Sequence, residues 1–340
     1  HRALPARAGP PAVPSPPPPP RPMSHALLLE HVSKRYAGHT AVDDLSLAVP
    51  VGTIYGILGP NGAGKSTTIR MVMNILIRDA GSISLLGSDP ERDREVLRRV
   101  GYLPEERGLY RKMKVLDVIV FFARLKGVDG GAARREGERW IERMGLGEWR
   151  GARVETLSKG MQQKVQFITT VVHDPDVLIL DEPASGLDPV NQEVLRDTIL
   201  DVRNRGKTVL FSTHNMAQAE ELCEHVCIIA GGRKVLDGAL RGIRRANRTR
   251  RYRVAFDVPS DEAARFLESD RRILRARRAG ETWELELDPA ADPREILAEL
   301  NTFDAPLTRF ELVEPTLHEI FVARVGDAAT PHRRPEPAHV

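Results

Sequence analysis

The sequence predicts an α/β fold, a parallel sheet covered on both faces and followed by a smaller α+β domain. Short, wholly apolar runs recur over residues 53–58, 177–180 and 208–211. Helical stretches separate them, over 66–76 and over 115–144 with a break near the glycines of 127–131. Strands that are apolar throughout and alternate with helices are buried on both faces, as in a parallel sheet. Past residue 238 the pattern changes: strands over 252–258, 282–287 and 307–313 alternate with helices over 260–268 and 293–300.

The chain is expected to divide into a proline-rich extension over 1–25, a large domain over 26–238, a small α+β domain over 239–325 and a polar, flexible tail over 326–340. Proline dominates the first 22 residues, which hold nothing to build a core from. That segment is read as disordered, and as an upstream reading frame before a start at Met23 rather than a proline-motif ligand. The arginine-rich stretch 241–253 is read as a solvated linker and strand start, with contact to anionic lipid headgroups as the other reading.

Composition narrows the function. At 340 residues, 41% of them hydrophobic, the chain supports a full core. Fifty basic residues against 47 acidic ones leave a net charge of only +3, which argues against a dedicated nucleic-acid binder. The two cysteines, Cys223 and Cys227, have only His225 nearby and read as small buried hydrophobes of a reduced compartment rather than as a metal site. No apolar run reaches the roughly 18–20 residues of a membrane span. The early segment is proline rather than an apolar signal, so a cytoplasmic chain is expected.

The chemistry begins after the first apolar run. Gly59, Pro60, Asn61, Gly62, Ala63, Gly64, Lys65 and Ser66 match the P-loop pattern, between strand and helix as that motif requires. Glycines let successive backbone N–H groups turn toward phosphate oxygens, and the helix start adds its positive dipole end. Lys65 would neutralise the β- and γ-phosphates and Ser66 would ligate Mg²⁺. The second apolar run ends in Asp181, Glu182 and Pro183. A carboxylate there faces a P-loop across the sheet. Asp181 suits a Mg²⁺ contact and Glu182 the orientation and deprotonation of an attacking water.

Leu157, Ser158, Lys159, Gly160 and Met161 resemble the signature sequence of ABC-type ATPases. Ser185, Gly186, Leu187, Asp188 and Pro189 resemble their D-loop, and His214, after the third apolar run, stands where they carry a switch histidine. The resemblance spans residues 28–236. It implies a P-loop NTPase cassette with a RecA-like parallel core, an antiparallel β subdomain and a helical lobe. It implies an ATPase that binds ATP and Mg²⁺, sits peripherally at the cytoplasmic face of the cell membrane and drives a separate polytopic membrane-spanning subunit. ATP would lie between two head-to-tail cassettes, in a homodimer or heterodimer.

By the same resemblance, nucleotide would meet Tyr36 (stacked on adenine, unless it is a plain surface tyrosine), the P-loop residues Gly59, Asn61, Gly62, Ala63, Gly64, Lys65 and Ser66, and Thr67. Ser158, Gly160 and Asp188 would complete the site, Ser158 and Gly160 reaching the γ-phosphate bound to the other copy. Glu182 and His214 would be catalytic, and Ser66, Asp181 and Glu105 would meet the metal. The chain departs from the family pattern at Lys159, Met161 and Glu105, the last standing where a glutamine is usual. An ionised glutamate accepts hydrogen bonds but cannot donate them, which puts the loop's coupling role in doubt.

The segment Pro104, Glu105, Glu106, Arg107, the Lys-Gly-Met signature and the final motif from Glu314 to Phe321 together resemble the sodium-export and multidrug branch of two-component exporters. The competing reading is a soluble ABC ATPase acting on ribosomes or nucleic acid. One P-loop, one signature and no sustained heptads speak against it. A nucleotide-binding module without hydrolysis is opposed by Glu182 and His214.

Overall fold

The computed structural model describes residues 24–106 and 108–328. Of the expected extension only Ser24 and His25 fall within them, and of the expected tail only 326–328. The rest of both lies outside the described residues.

In chain order the elements are β1 (His25–Tyr36), β2 (His39–Pro50), β3 (Ile54–Leu58), α1 (Lys65–Val72), β4 (Ala80–Leu85), β5 (Val100–Leu103), α2 (Val115–Leu125) and α3 (Gly130–Arg143). There follow α4 (Lys159–Val171), β6 (Val177–Asp181), α5 (Pro189–Asn204), β7 (Thr208–Thr213), α6 (Met216–Leu222), β8 (His225–Ala230), β9 (Arg233–Ala239) and α7 (Leu240–Ala246). The last are β10 (Arg251–Phe256), α8 (Asp261–Ser269), β11 (Ile273–Ala279), β12 (Thr282–Leu287), α9 (Pro293–Leu300), β13 (Leu307–Leu312) and α10 (Leu317–Ala328).

A six-stranded sheet of order β5-β6-β7-β3-β8-β9 forms the centre, parallel except for β9. Alternate residues of its strands feed two cores. Leu58, Leu180, Phe211 and Ile228 face the core shared with α2–α6, while Ile57, Ile179, Leu210 and Ile229 face the core shared with α1 and a three-stranded antiparallel sheet, β2-β1-β4. Every residue of β3, β6 and β7 is buried, so neither face tolerates a polar run. The α/β cassette expected from the motifs is therefore present, with α2, α3 and the start of α4 as its helical lobe.

The helix expected over 66–76 stops at Val72. Asn74 takes a left-handed φ of 52° and its N–H bonds the Met71 carbonyl, closing the helix as a C-terminal cap does. Cys223 and Cys227 are buried free thiols, and burial pushes both up, which leaves them unreactive at neutral pH. No helix among the described residues is long and apolar enough to cross a membrane.

A second antiparallel sheet of order β11-β12-β10-β13 packs α8 and α9 against one face, around Val254, Leu285, Leu287, Ile296 and Leu300. The arginine-rich stretch, expected to be a linker and strand start, is α7, whose Leu240 and Ile243 are buried, and then the start of β10. Several of its arginines have protein partners. Arg244 pairs with Glu220 at 2.7 Å, Arg251 with Glu319 at 2.7 Å and Arg248 with Glu314. The Arg244–Glu220 pair, with Leu317 and Ile320 in the cassette core, fastens the C-terminal elements to α6, while the other two pairs lie within those elements. Arg241 and Arg245 stay exposed, so only part of the charge of this stretch is paired within the protein.

Candidate functional site

Parallel register brings the strand ends together. Leu58 lies beside Thr213 and Asp181 beside Ser212, so the chain leaves β3, β6 and β7 at one level. The P-loop follows β3, Glu182 follows β6 and His214 follows β7. Ligands of open α/β sheets bind at such carboxyl ends. A cleft of about 510 Å³ opens there, lined by Tyr36, His39, Ala41, residues 61–67, Glu105, Glu182, Ser185 and His214.

The loop requires glycine where it touches its surroundings. At Gly59, φ is 153° and a Cβ would sit 2.1 Å from the Ile229 carbonyl oxygen. At Gly64, which opens α1 with φ 106°, a Cβ would sit 2.5 Å from the Ala41 carbonyl oxygen. Both contacts are with backbone and cannot yield.

Lys65 is 5% exposed. Its ammonium donates to the carbonyls of Gly59 at 2.8 Å and Pro60 at 3.2 Å, and lies 3.4 Å from Glu182 Oε1. Glu182 has a φ of 48°, uncommon for a residue with a side chain, and its N–H donates to the Ser212 carbonyl and hydroxyl. Its other carboxylate oxygen meets His214 Nδ1 at 3.0 Å. A carboxylate is thus held between a buried cation and a half-exposed imidazole, at the mouth of the phosphate loop.

Asp181 is 1% exposed. Its Oδ1 accepts from Ser212 at 2.5 Å and from Ser66 at 3.1 Å. Its Oδ2 is buried without a hydrogen-bond donor. An orphaned carboxylate oxygen beside the Ser66 hydroxyl is the donor set a hard divalent cation takes. Among the described residues no group of three or more His, Cys, Asp or Glu is arranged to hold a metal. The chain would therefore hold Mg²⁺ by Ser66 and Asp181, with nucleotide and water oxygens completing the shell. These residues fit the ion.

Ser158, Gly160 and Asp188 do not line this cleft. Ser158 caps α4, its hydroxyl accepting from the Met161 N–H at 3.2 Å. Asp188 caps α5, and the Asn191 backbone N–H and side-chain amide hold its carboxyl below the usual range. The two caps adjoin: a Cβ on Gly160 would lie 3.4 Å from Asn191 Nδ2. Gln163 ties this patch to the cleft by donating to the Pro183 carbonyl at 2.7 Å.

Four residues that matter here have no site role in the motif reading. His39 and Ala41 line the cleft because β1 and β2 turn at Gly38 beside Tyr36, a hairpin that no motif reports. Ser185 was visible only as part of the D-loop pattern, yet it lines the cleft. Ser212 anchors both Asp181 and Glu182, and its one signal is a polar residue at the end of an apolar strand.

Comparison with known proteins agrees with this geometry. Residues 42–185 match the ABC transporter family, and residues 238–325 match the C-terminal domain of DrrA1-3-like ATP-binding proteins. The chain is 43% identical over 300 residues to an uncharacterized ABC transporter ATP-binding protein of Bacillus subtilis, covering 88% of this chain and 98% of that one. It is 41% identical over 210 residues to Nod factor export ATP-binding protein I of Burkholderia orbicola, covering 62% and 69%. A solved ATP-binding subunit of an ABC transporter superposes with a TM-score of 0.61 at 30% identity, over 65% of this chain and 92% of that one.

Proposed function

The chain belongs to the ABC transporter ATP-binding family, and from that premise we propose how its residues work in the transporter. It is an ATP-binding subunit and an ATPase. Two cassettes close head to tail on ATP, and their closure moves a separate membrane-spanning subunit while this chain stays peripheral at the cytoplasmic face. The cassette covers 26–238 and the small C-terminal domain 239–325. Export is the favoured direction, because a relative of 41% identity is named for export, and the membrane partner selects the cargo.

One observation carries this reading: Glu182, at the end of a buried strand, is held 3.4 Å from Lys65 and 3.0 Å from His214. Phosphate oxygens compete with the Gly59 and Pro60 carbonyls for the Lys65 ammonium, a stronger pairing because it is charge-assisted. The N–H groups of 61–67 wrap the phosphates, and Tyr36, 47% exposed, offers a ring face to the base. Glu182 takes a proton from the water that attacks the γ-phosphorus as the bond to ADP breaks. His214 orients Glu182 and meets the γ-phosphate. Mg²⁺ would supply charge neutralisation when held by Ser66 and Asp181, with Glu105 among the residues that line the cleft. Ser158 and the Gly160 N–H, with Asp188 beside them, serve the ATP of the opposite copy.

The test is Glu182→Gln in the full chain. ATP binding should persist while hydrolysis falls by roughly two orders of magnitude or more. Light scattering with ATP should then find a stable dimer, and adding Ser158→Arg should abolish that dimer without weakening ATP binding by the monomer. Hydrolysis at the parent rate would remove Glu182 from the base role. Loss of monomer binding in the Ser158→Arg chain would refute the head-to-tail arrangement.

A further inference from the structure

Glu105 follows β5, and β5 is the edge strand of the central sheet, pairing with no strand but β6 among the described residues. An edge strand and the loop beyond it hold position only as firmly as side chains brace them. Two helices do so. At the start of β5, the Lys126 ammonium, from the end of α2, donates to the carbonyls of Leu97 at 2.7 Å and Val100 at 2.8 Å. Past the end of β5, the Gln166 amide, from α4, donates to the carbonyls of Glu106 at 3.1 Å and Pro104 at 3.4 Å. Those two carbonyls flank Glu105.

Gln166 is 5% exposed, so its amide has no water to prefer. One amide nitrogen carries two N–H donors and can serve both carbonyls. Glu105 has only acceptors and cannot tie its own loop by donating, so the donors must come from outside it. We propose that Gln166 is a positioning residue that holds Glu105 at the nucleotide cleft and fastens that loop to the helix bearing Ser158. The proposal rests on Glu105 facing nucleotide. α4 is rigid between the two points: Ser158 caps it, and Gln166 lies two turns on, about 12 Å along the axis at 1.5 Å per residue. A shift of the signature at one end of α4 therefore moves Glu105 of the same chain.

The experiment is a double-mutant cycle in the full chain with Gln166→Met, Glu105→Ala and the pair, reading kcat and KM for ATP and the affinity of a fluorescent ATP analogue. Gln166→Met keeps volume and removes the donors. It should lower kcat roughly three- to fivefold, the scale of one or two hydrogen bonds, with KM and analogue affinity within about twofold. In the Glu105→Ala background it should change nothing further. Gln166→Glu, which sets a carboxylate against two carbonyls, should be worse than Gln166→Met, provided its circular dichroism matches the parent. An unchanged kcat in Gln166→Met, where Glu105→Ala does lower it, would overturn the proposal, as would full additivity of the pair. An unchanged kcat in Glu105→Ala would instead sink the reading on which the proposal stands.

Discussion

Lys65 and Asp181 lie buried, and Glu182 nearly so, at the end of the cassette's parallel sheet, whereas Arg253, Glu284 and Glu311 lie half exposed across the outer face of the C-terminal sheet. The buried set is incompletely satisfied: Asp181 Oδ2 and Glu182 Oε1 have no hydrogen-bond donor. The exposed set is arranged in rows. Register places Arg253 between Glu284 and Glu311, and sets Arg277 against Glu284 and Arg275 against Glu286. A buried carboxylate without donors is costly, and such cost is carried where chemistry needs it. Opposite charges across an exposed sheet face add little stability, but a two-residue slip of β13 would set Arg309 against Arg253. The same residue types are thus buried at the proposed nucleotide site in one domain and paired across strands in the other, and burial separates the two.

The sharpest way to break this comparison is Lys65→Ala. It should weaken binding of a fluorescent ATP analogue by at least roughly 100-fold, since the phosphates lose a buried cation. Undiminished affinity would end the claim that buried charge marks the site. Arg272→Ala should act between the extremes. Its guanidinium meets Asp270 and Glu299 at 2.7 Å each, with Asp270 mostly buried. We expect a loss of about 1–2 kcal/mol by urea denaturation of the full chain, with ATP affinity unchanged.

That loss should depend on pH in a defined sense. Hydrogen bonding to Arg272 holds the Asp270 carboxyl below its ordinary value of 3.8. A folded value depressed below the unfolded one contributes stability that is full above the ordinary value. It disappears as pH falls through the lower folded value, so parent and variant should converge in strong acid. The smallest effect is expected for Arg253→Ala, within about 0.5 kcal/mol and silent in ATP binding, because its partners are exposed and 3.6–3.9 Å away. A larger loss there would show that the charged face does more than set register.

Much of the cassette was legible because its signals are local. The P-loop pattern lies in contiguous residues, and β3, β6 and β7 are apolar at every position but their ends. The helices over 115–144 and their break at the glycines were equally plain, as was the start of α9 at Pro293. The C-terminal domain showed its limits. β11 (Ile273–Ala279) was missed because its inward residues alternate with arginines on an edge with little burial, leaving no apolar period to read. α7 was missed because only Leu240 and Ile243 mark its inner face.

The sequence by itself determined the phosphate loop, the acidic pair after a buried strand and the alternation that makes the sheet parallel. Each depends on the conformational freedom, charge or hydropathy of neighbours in the chain. Only the tertiary structure decided that Glu182 stands between Lys65 and His214, that Ser212 anchors Asp181, and that Gln166 reaches the carbonyls around Glu105. Those contacts join residues 30 to more than 100 positions apart. They follow from strand order and from packing on both faces of one sheet, which no short stretch of residues encodes.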